Sequence, residues 1–108
     1  MVKTEKRKEY EKKYKKEHKK KVQIDTKKWC LKRFNLTLKD YDIMFDNQKE
    51  RCGICNIKLE RISKGTHLDH DHKTNKVRGI LCHNCNIGLG MFKDNADFLI
   101  NAIKWLKN

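Results

Sequence analysis

Apolar positions are sparse over the first 28 residues and then fall into short, regular groups. Residues 1 to about 28 are dominated by Lys, Glu, Tyr and His, with few apolar positions, chiefly Tyr10, Tyr14, Val22 and Ile24. Good helix formers without glycine or proline predict a long, solvated helix, one that orders along a polyanion. A frayed charged tail is the competing reading. Residues 26–34, TKKWCLKRF, read as a short helix carrying Trp29, Cys30, Leu31 and Phe34, ended by Asn35 in the left-handed conformation. Thr37-Leu38-Lys39-Asp40 has the form of a capping box with Asp in place of Glu. The helix it opens runs to about Gln48, with Leu38, Tyr41, Met44 and Phe45 on one core-facing side.

Further along, the period shortens. Residues 66–70, THLDH, and 77–81, VRGIL, read as two strands of a hairpin whose polar connection runs from Asp71 to Lys76. A helix is expected from about Asn84, limited or bent by Gly88 and Gly90. Residues 95–107 form a last amphipathic helix, capped by Asp94 or Asn95. Its stripe of Phe98, Ala102 and Trp105, flanked by Leu99, Ile103 and Leu106, is expected to pack on the centre of the domain. A dimer surface through Trp105 and Leu106 is its alternative use. The pattern gives an α+β domain over residues 26–108, preceded by a basic helical extension over residues 1–25.

Charge changes the picture. Lys and Arg outnumber Asp and Glu by 27 to 14, a formal net charge of +13, while hydrophobic residues make up 37% of 108. So small a core calls for a staple such as a metal. The positive surplus predicts a polyanionic partner, DNA or RNA before an anionic membrane. No apolar run approaches the ~20 residues of a spanning helix, and no signal-peptide stretch opens the sequence. The expectation is a soluble, cytoplasmic protein with reduced thiols.

The cysteines supply the staple. Cys52-Gly-Ile-Cys55 and Cys82-His-Asn-Cys85 are two Cys-x-x-Cys pairs. Zinc takes four soft ligands in a tetrahedron, and a two-residue spacer lets one turn supply two of them. Four zinc-bound thiolates would leave a net charge of about +11. A redox role does not suit two such pairs without a βαβ pattern. Cys30 is left over, and Trp29 and Leu31 beside it suggest a buried thiol.

Between the pairs lies His67-Leu68-Asp69-His70-Asp71-His72. Phosphodiester hydrolysis needs a base to activate water, for which histidine is suited, and a hard cation on oxygen ligands to stabilise developing charge. On a strand His70 and Leu68 point one way, Asp69 and Asp71 the other. At the strand end the twist relaxes, so Asp69 and His70 can supply one service each. The bland alternatives are solvated loop histidines, or His67 and His72 as zinc ligands.

The stretch HLDHDHKTNKVRGILCHNCN, with CGIC and LTLKDYDIMFDNQKERC upstream, resembles the phage recombination endonuclease VII family, within the His-Asn-His (HNH) nucleases of the ββα-metal, or His-Me finger, fold. The resemblance covers roughly Leu36 to Gly90. It implies zinc on Cys52, Cys55, Cys82 and Cys85. It also implies His70 as general base, and Asp69 with Asn86 as ligands of a catalytic Mg²⁺ or Mn²⁺. His72 would contact phosphate or orient the hairpin, and Arg78 would clamp a phosphate or stand as a solvated strand residue. Lys76 in the hairpin loop and Lys19, Lys20 and Lys21 in the extension are further DNA contacts. His67 and His83 are read as structural. Junction-resolving members carry a long C-terminal region, whereas this sequence ends at Asn108, so simple nicking or duplex cutting is expected. If the chain is phage-encoded, it would act in the host cytoplasm. The competing functions are a non-catalytic zinc module binding DNA or RNA, and an adaptor in a phage packaging or recombination complex.

Overall fold

A computed structural model describes residues 5–108, with side chains from Arg7 onward, so the first four residues of the predicted extension lie outside the described part. Among the described residues the chain forms four helices and a two-stranded sheet, a small α+β architecture divided after Asp42 into two compact units. None of the described helices is long and apolar enough to cross a membrane.

The first unit is built on α1 (Glu5–Lys32). Residues 26–32 do not start a helix of their own: α1 runs through residue 25 without a break. No residue between Val22 and Thr26 can stop it, and the first strong terminator is Asn35. Asn35 stands at φ 57°, and the amides of Asn35 and Leu36 reach back to the carbonyls of Lys32 (3.1 Å) and Leu31 (3.0 Å). That pairing is the Schellman closure. Leu31 and Tyr41 are fully buried, and the Lys27 ammonium lies 5.2 Å from the Tyr41 ring centroid. Trp29 faces solvent and Cys30 is only half-buried, so the buried member of the Trp-Cys-Leu run is leucine.

Helix α2 (Leu38–Asn47) opens on the expected box. The Thr37 amide donates to Asp40 Oδ2 at 2.9 Å and the Asp40 amide to Thr37 Oγ1 at 3.2 Å. Tyr41 and Phe45 are buried, while Leu38 and Met44 are half-buried.

The second unit, Ile43–Asn108, holds the hairpin. Strand β1 (Thr66–His70) pairs antiparallel with β2 (Val77–Cys82), and α3 (His83–Met91) follows β2 directly, passing through Gly88 and Gly90. The register changes between Asp69, opposite Gly79, and His70, opposite Val77. Arg78 is thus the extra residue of a β-bulge, a device that bends a strand and re-aims its side chains. The core of this unit is small: Phe45, Cys52, Ile80 and Leu81 are its buried apolar residues.

One polar residue completes the sheet. The Gln48 carboxamide accepts from the Ile80 amide at 2.8 Å and donates to the Ile80 carbonyl at 2.8 Å, occupying the place of a third strand's peptide group. Gly79 makes room for it, since a Cβ there would sit 2.8 Å from Gln48 Oε1. Gln48→Ala leaves the amide of buried Ile80 unpaired, which costs about 1–3 kcal/mol. For a domain of this size each kcal/mol corresponds to roughly 4–8 °C. A thermal melt of the zinc-loaded variant checks the drop.

Helix α4 (Ala96–Leu106) is capped by Asn95, whose Oδ1 accepts from the Phe98 amide at 3.1 Å. Its stripe does not pack as expected. Phe98, Ile103, Trp105 and Leu106 are exposed, the last two by 79% and 81%. Ala96 and Leu99 line a recess with Gln48 and Gly79. The apolar face of α4 is wider than the surface the rest of the unit presents to it.

Candidate metal centre and active site

The two Cys-x-x-Cys turns converge. The Sγ atoms of Cys52, Cys55, Cys82 and Cys85 all lie within 4.8 Å of one another, and those of Cys55 and Cys82 are 3.6 Å apart. Tetrahedral zinc with bonds of about 2.3 Å sets sulfurs about 3.8 Å apart, so the four cysteines fit a zinc ion. The first turn is closed by the Cys52 amide on the Ile57 carbonyl at 2.9 Å, with Asn56 in the left-handed region at φ 66°. The second is the start of α3, where Cys82 caps the helix and its sulfur accepts from the Cys85 amide at 3.4 Å. Burial pushes the Cys52 thiol up, but the amides of Cys82, Ile54 and Cys55 aimed at its sulfur bring it down to about 6. Burial and the neighbouring thiols push Cys85 up to about 12.

Downstream of that knuckle a recess opens between the hairpin, α3 and the α3–α4 turn. Asp69, Asp71, His72, Arg78, Asn86 and Asp94 all line it. Asp69 is buried on β1, and Asn86, half-buried, follows Cys85 in the first turn of α3. The structure therefore brings Asp69 and Asn86 to one cavity, from strand and helix respectively. His70, half-buried, ends β1 and is not among the lining residues; its ring centroid lies 4.6 Å from that of His72, which is. Asp71 shapes the loop: its Oδ1 accepts from the amides of Lys73 (2.8 Å) and Thr74 (3.3 Å), and these bonds hold its carboxyl below the usual range. Lys76 is exposed in the same loop, while Lys19, Lys20 and Lys21 are exposed on α1 in the other unit. His67 Nε2 and His83 Nδ1 are 3.1 Å apart, a pairing between β1 and the start of α3.

Arg78 is exposed, and its guanidinium sits between two carboxylates. Its Nε and Nη2 donate to Asp69 at 2.7 and 3.1 Å, and its Nη1 and Nη2 to Asp94 at 3.0 and 2.9 Å. These hydrogen bonds, to Asp69 first and to Asp94 second, raise its pKa further.

The model of the recombination endonuclease VII family matches residues 27–108. The chain belongs to that family. It is 40% identical over 82 residues to the gene 59 protein of Mycobacterium phage L5, covering 72% of this chain and 48% of that protein. The gene 59 protein of Mycobacterium phage D29 is 40% identical over 81 residues, 71% of this chain and 47% of that protein. The chain spans about half the length of these relatives. The family match leaves out most of α1, including Lys19, Lys20 and Lys21.

Two residues of the recess region carry no signal in the sequence pattern. Gln48 reads there as an ordinary helix-terminal glutamine, and Asp94 only as a candidate cap. Asp94 and Lys93 both stand at φ 55°, and the Asp94 amide reaches the Leu89 carbonyl at 2.8 Å. This closure of α3 turns the Asp94 carboxylate to Arg78.

Proposed function

We propose that the chain is a divalent-metal-dependent DNA endonuclease of the HNH type, with residues 26–108 as its nuclease domain and β1, β2 and α3 as its ββα-metal core. The observation that carries this is the convergence of Asp69 and Asn86 on one recess, with Asn86 fixed next to a cysteine of the four-sulfur cluster. Zinc on the four cysteines would be structural. Oxygen ligands from Asp69 and Asn86 suit Mg²⁺ or Mn²⁺, and such a cation supplies Lewis-acid stabilisation of charge on the phosphate and the leaving oxygen.

The protein's own groups do the rest. His70 takes a proton from the attacking water, and His72 orients the hairpin end or meets the phosphate. Lys76 and the lysines at 19–21 lie along the backbone of the DNA. The bond broken is that between phosphorus and the 3′-oxygen, so the products are a 5′-phosphate and a 3′-hydroxyl. An end-labelled duplex, and a branched one beside it, test this. Cleaved strands that a polymerase extends directly support the reading. Ends that need prior phosphatase treatment, or no cleavage by folded, zinc-loaded protein, reject it.

A further inference from the structure

We infer that Asp94 is a positioning residue of the cation site: it holds the Arg78 guanidinium beside Asp69 and gives it a second carboxylate to stay on when a divalent cation takes Asp69. The inference rests on the reading of Asp69 as a cation ligand.

The geometry is that of one fork between two carboxylates. One edge of the guanidinium, Nε and Nη2, faces both oxygens of Asp69; the other, Nη1 and Nη2, faces both oxygens of Asp94. Nη2 also reaches the His70 carbonyl at 3.3 Å. All three nitrogens are engaged. The Asp69 side chain is only 10% exposed, so a cation approaching it has to share or displace Arg78. Without Asp94, displacement would leave the guanidinium hydrogen-bonded to no carboxylate. With Asp94, Arg78 keeps a bidentate partner. Its hydrogen bonds hold the Asp94 carboxyl below the usual range, so that partner stays charged.

The backbone is shaped for this. The β-bulge supplies Arg78 as an extra residue on β2, and the left-handed pair Lys93-Asp94 brings the second carboxylate from the end of α3.

Mn²⁺ titration of zinc-loaded protein without DNA, read by the electron spin resonance of free Mn²⁺, tests the inference. Five proteins are compared: wild type, Asp69→Asn, Asp94→Asn, Arg78→Met, and the Arg78→Met/Asp94→Asn double variant. Asparagine is at home in the left-handed region, so Asp94→Asn keeps the turn, and methionine keeps an apolar stem for Arg78. Zinc content and far-UV circular dichroism verify folding. Asp94→Asn is expected to weaken Mn²⁺ about tenfold in the wild-type background and about twofold or less beside Arg78→Met, a coupling of the size seen between residues in direct contact. Unchanged affinity in the single variant overturns the inference, because Asp94 is then only part of the turn. An equal loss in both backgrounds also overturns it, because Asp94 then acts as a direct ligand or a bare charge. Asp69→Asn should weaken Mn²⁺ more than any other single change. If it has no effect, the cation-ligand reading itself fails and takes this inference with it.

Discussion

Stripping the four-cysteine cluster of zinc is expected to unfold residues 43–108. The apolar core there consists of Phe45, Cys52, Ile80 and Leu81, and one of these is itself a member of the cluster. A structural zinc site contributes an apparent ~10–16 kcal/mol at neutral pH. Small domains are stable by only about 5–15 kcal/mol in total. Loss of the ion therefore removes as much free energy as the folded state has in hand. Cys85→Ser should act in the same way, since it breaks the cluster at the residue that precedes Asn86. Hydrogen exchange of the β1 and β2 amides is the readout. Protection of Ile80 and Leu81 should vanish on chelation and return with one equivalent of zinc. A chelated protein that keeps that protection and melts within a few degrees of the loaded form would show that the cysteines do not staple the fold.

The second large effect falls on His70. General-base catalysis contributes about 10²- to 10⁴-fold, so His70→Ala should lower the single-turnover cleavage rate by that factor. DNA affinity should be nearly unchanged, because the basic groups at 19–21 and Lys76 are untouched and binding to phosphates is carried by such charges. Stability should also hold, since His70 lies at the end of β1 and is not part of the buried core. His72→Ala serves as the comparison. Its ring packs 4.6 Å from that of His70 and lines the recess, so it should lose less rate than His70→Ala. The reverse order would move the proton-accepting role from His70 to His72.

Local signals made much of this fold legible in the sequence. Thr37 and Asp40, Asn35, and Asn95 each end or open a helix through bonds to backbone within a few residues, so their chemistry is written where they stand. The hairpin is legible as well, because the polar run from Asp71 to Lys76 separates THLDH from the more apolar VRGIL. Features that depend on distant partners were not legible. Three successive residues on a helix point about 100° apart, so periodicity could not say which of Trp29, Cys30 and Leu31 is buried. The outward stripe of α4 depends on how much surface the neighbouring elements offer.

At the candidate site the same division holds. Two Cys-x-x-Cys pairs announce a shared ion because the spacing is itself the geometry of a chelating turn, and the cluster forms as expected. Asp69 and Asn86 meet in one recess although they are far apart along the chain, a placement that rested on family resemblance rather than on pattern. Arg78 reads in the sequence either as a phosphate clamp or as a solvated strand residue, and neither reading includes its two carboxylate partners. Its actual partners arise from a one-residue bulge and from a left-handed turn at Asp94, neither of which has a sequence signature here. Gln48 shows the same limit, since a side-chain amide standing in for a strand is visible only once Ile80 is beside it.

The most direct test of a divalent-dependent nuclease built on Asp69, His70 and Asn86 is a supercoiled-plasmid assay. Zinc-loaded wild type and His70→Ala are run side by side in Mg²⁺, in Mn²⁺ and in EDTA. The account predicts open-circular product from wild type in the divalent ions, none in EDTA, and little or none from His70→Ala under any condition. Nicking that persists in EDTA, or that proceeds at the wild-type rate in His70→Ala, would contradict it.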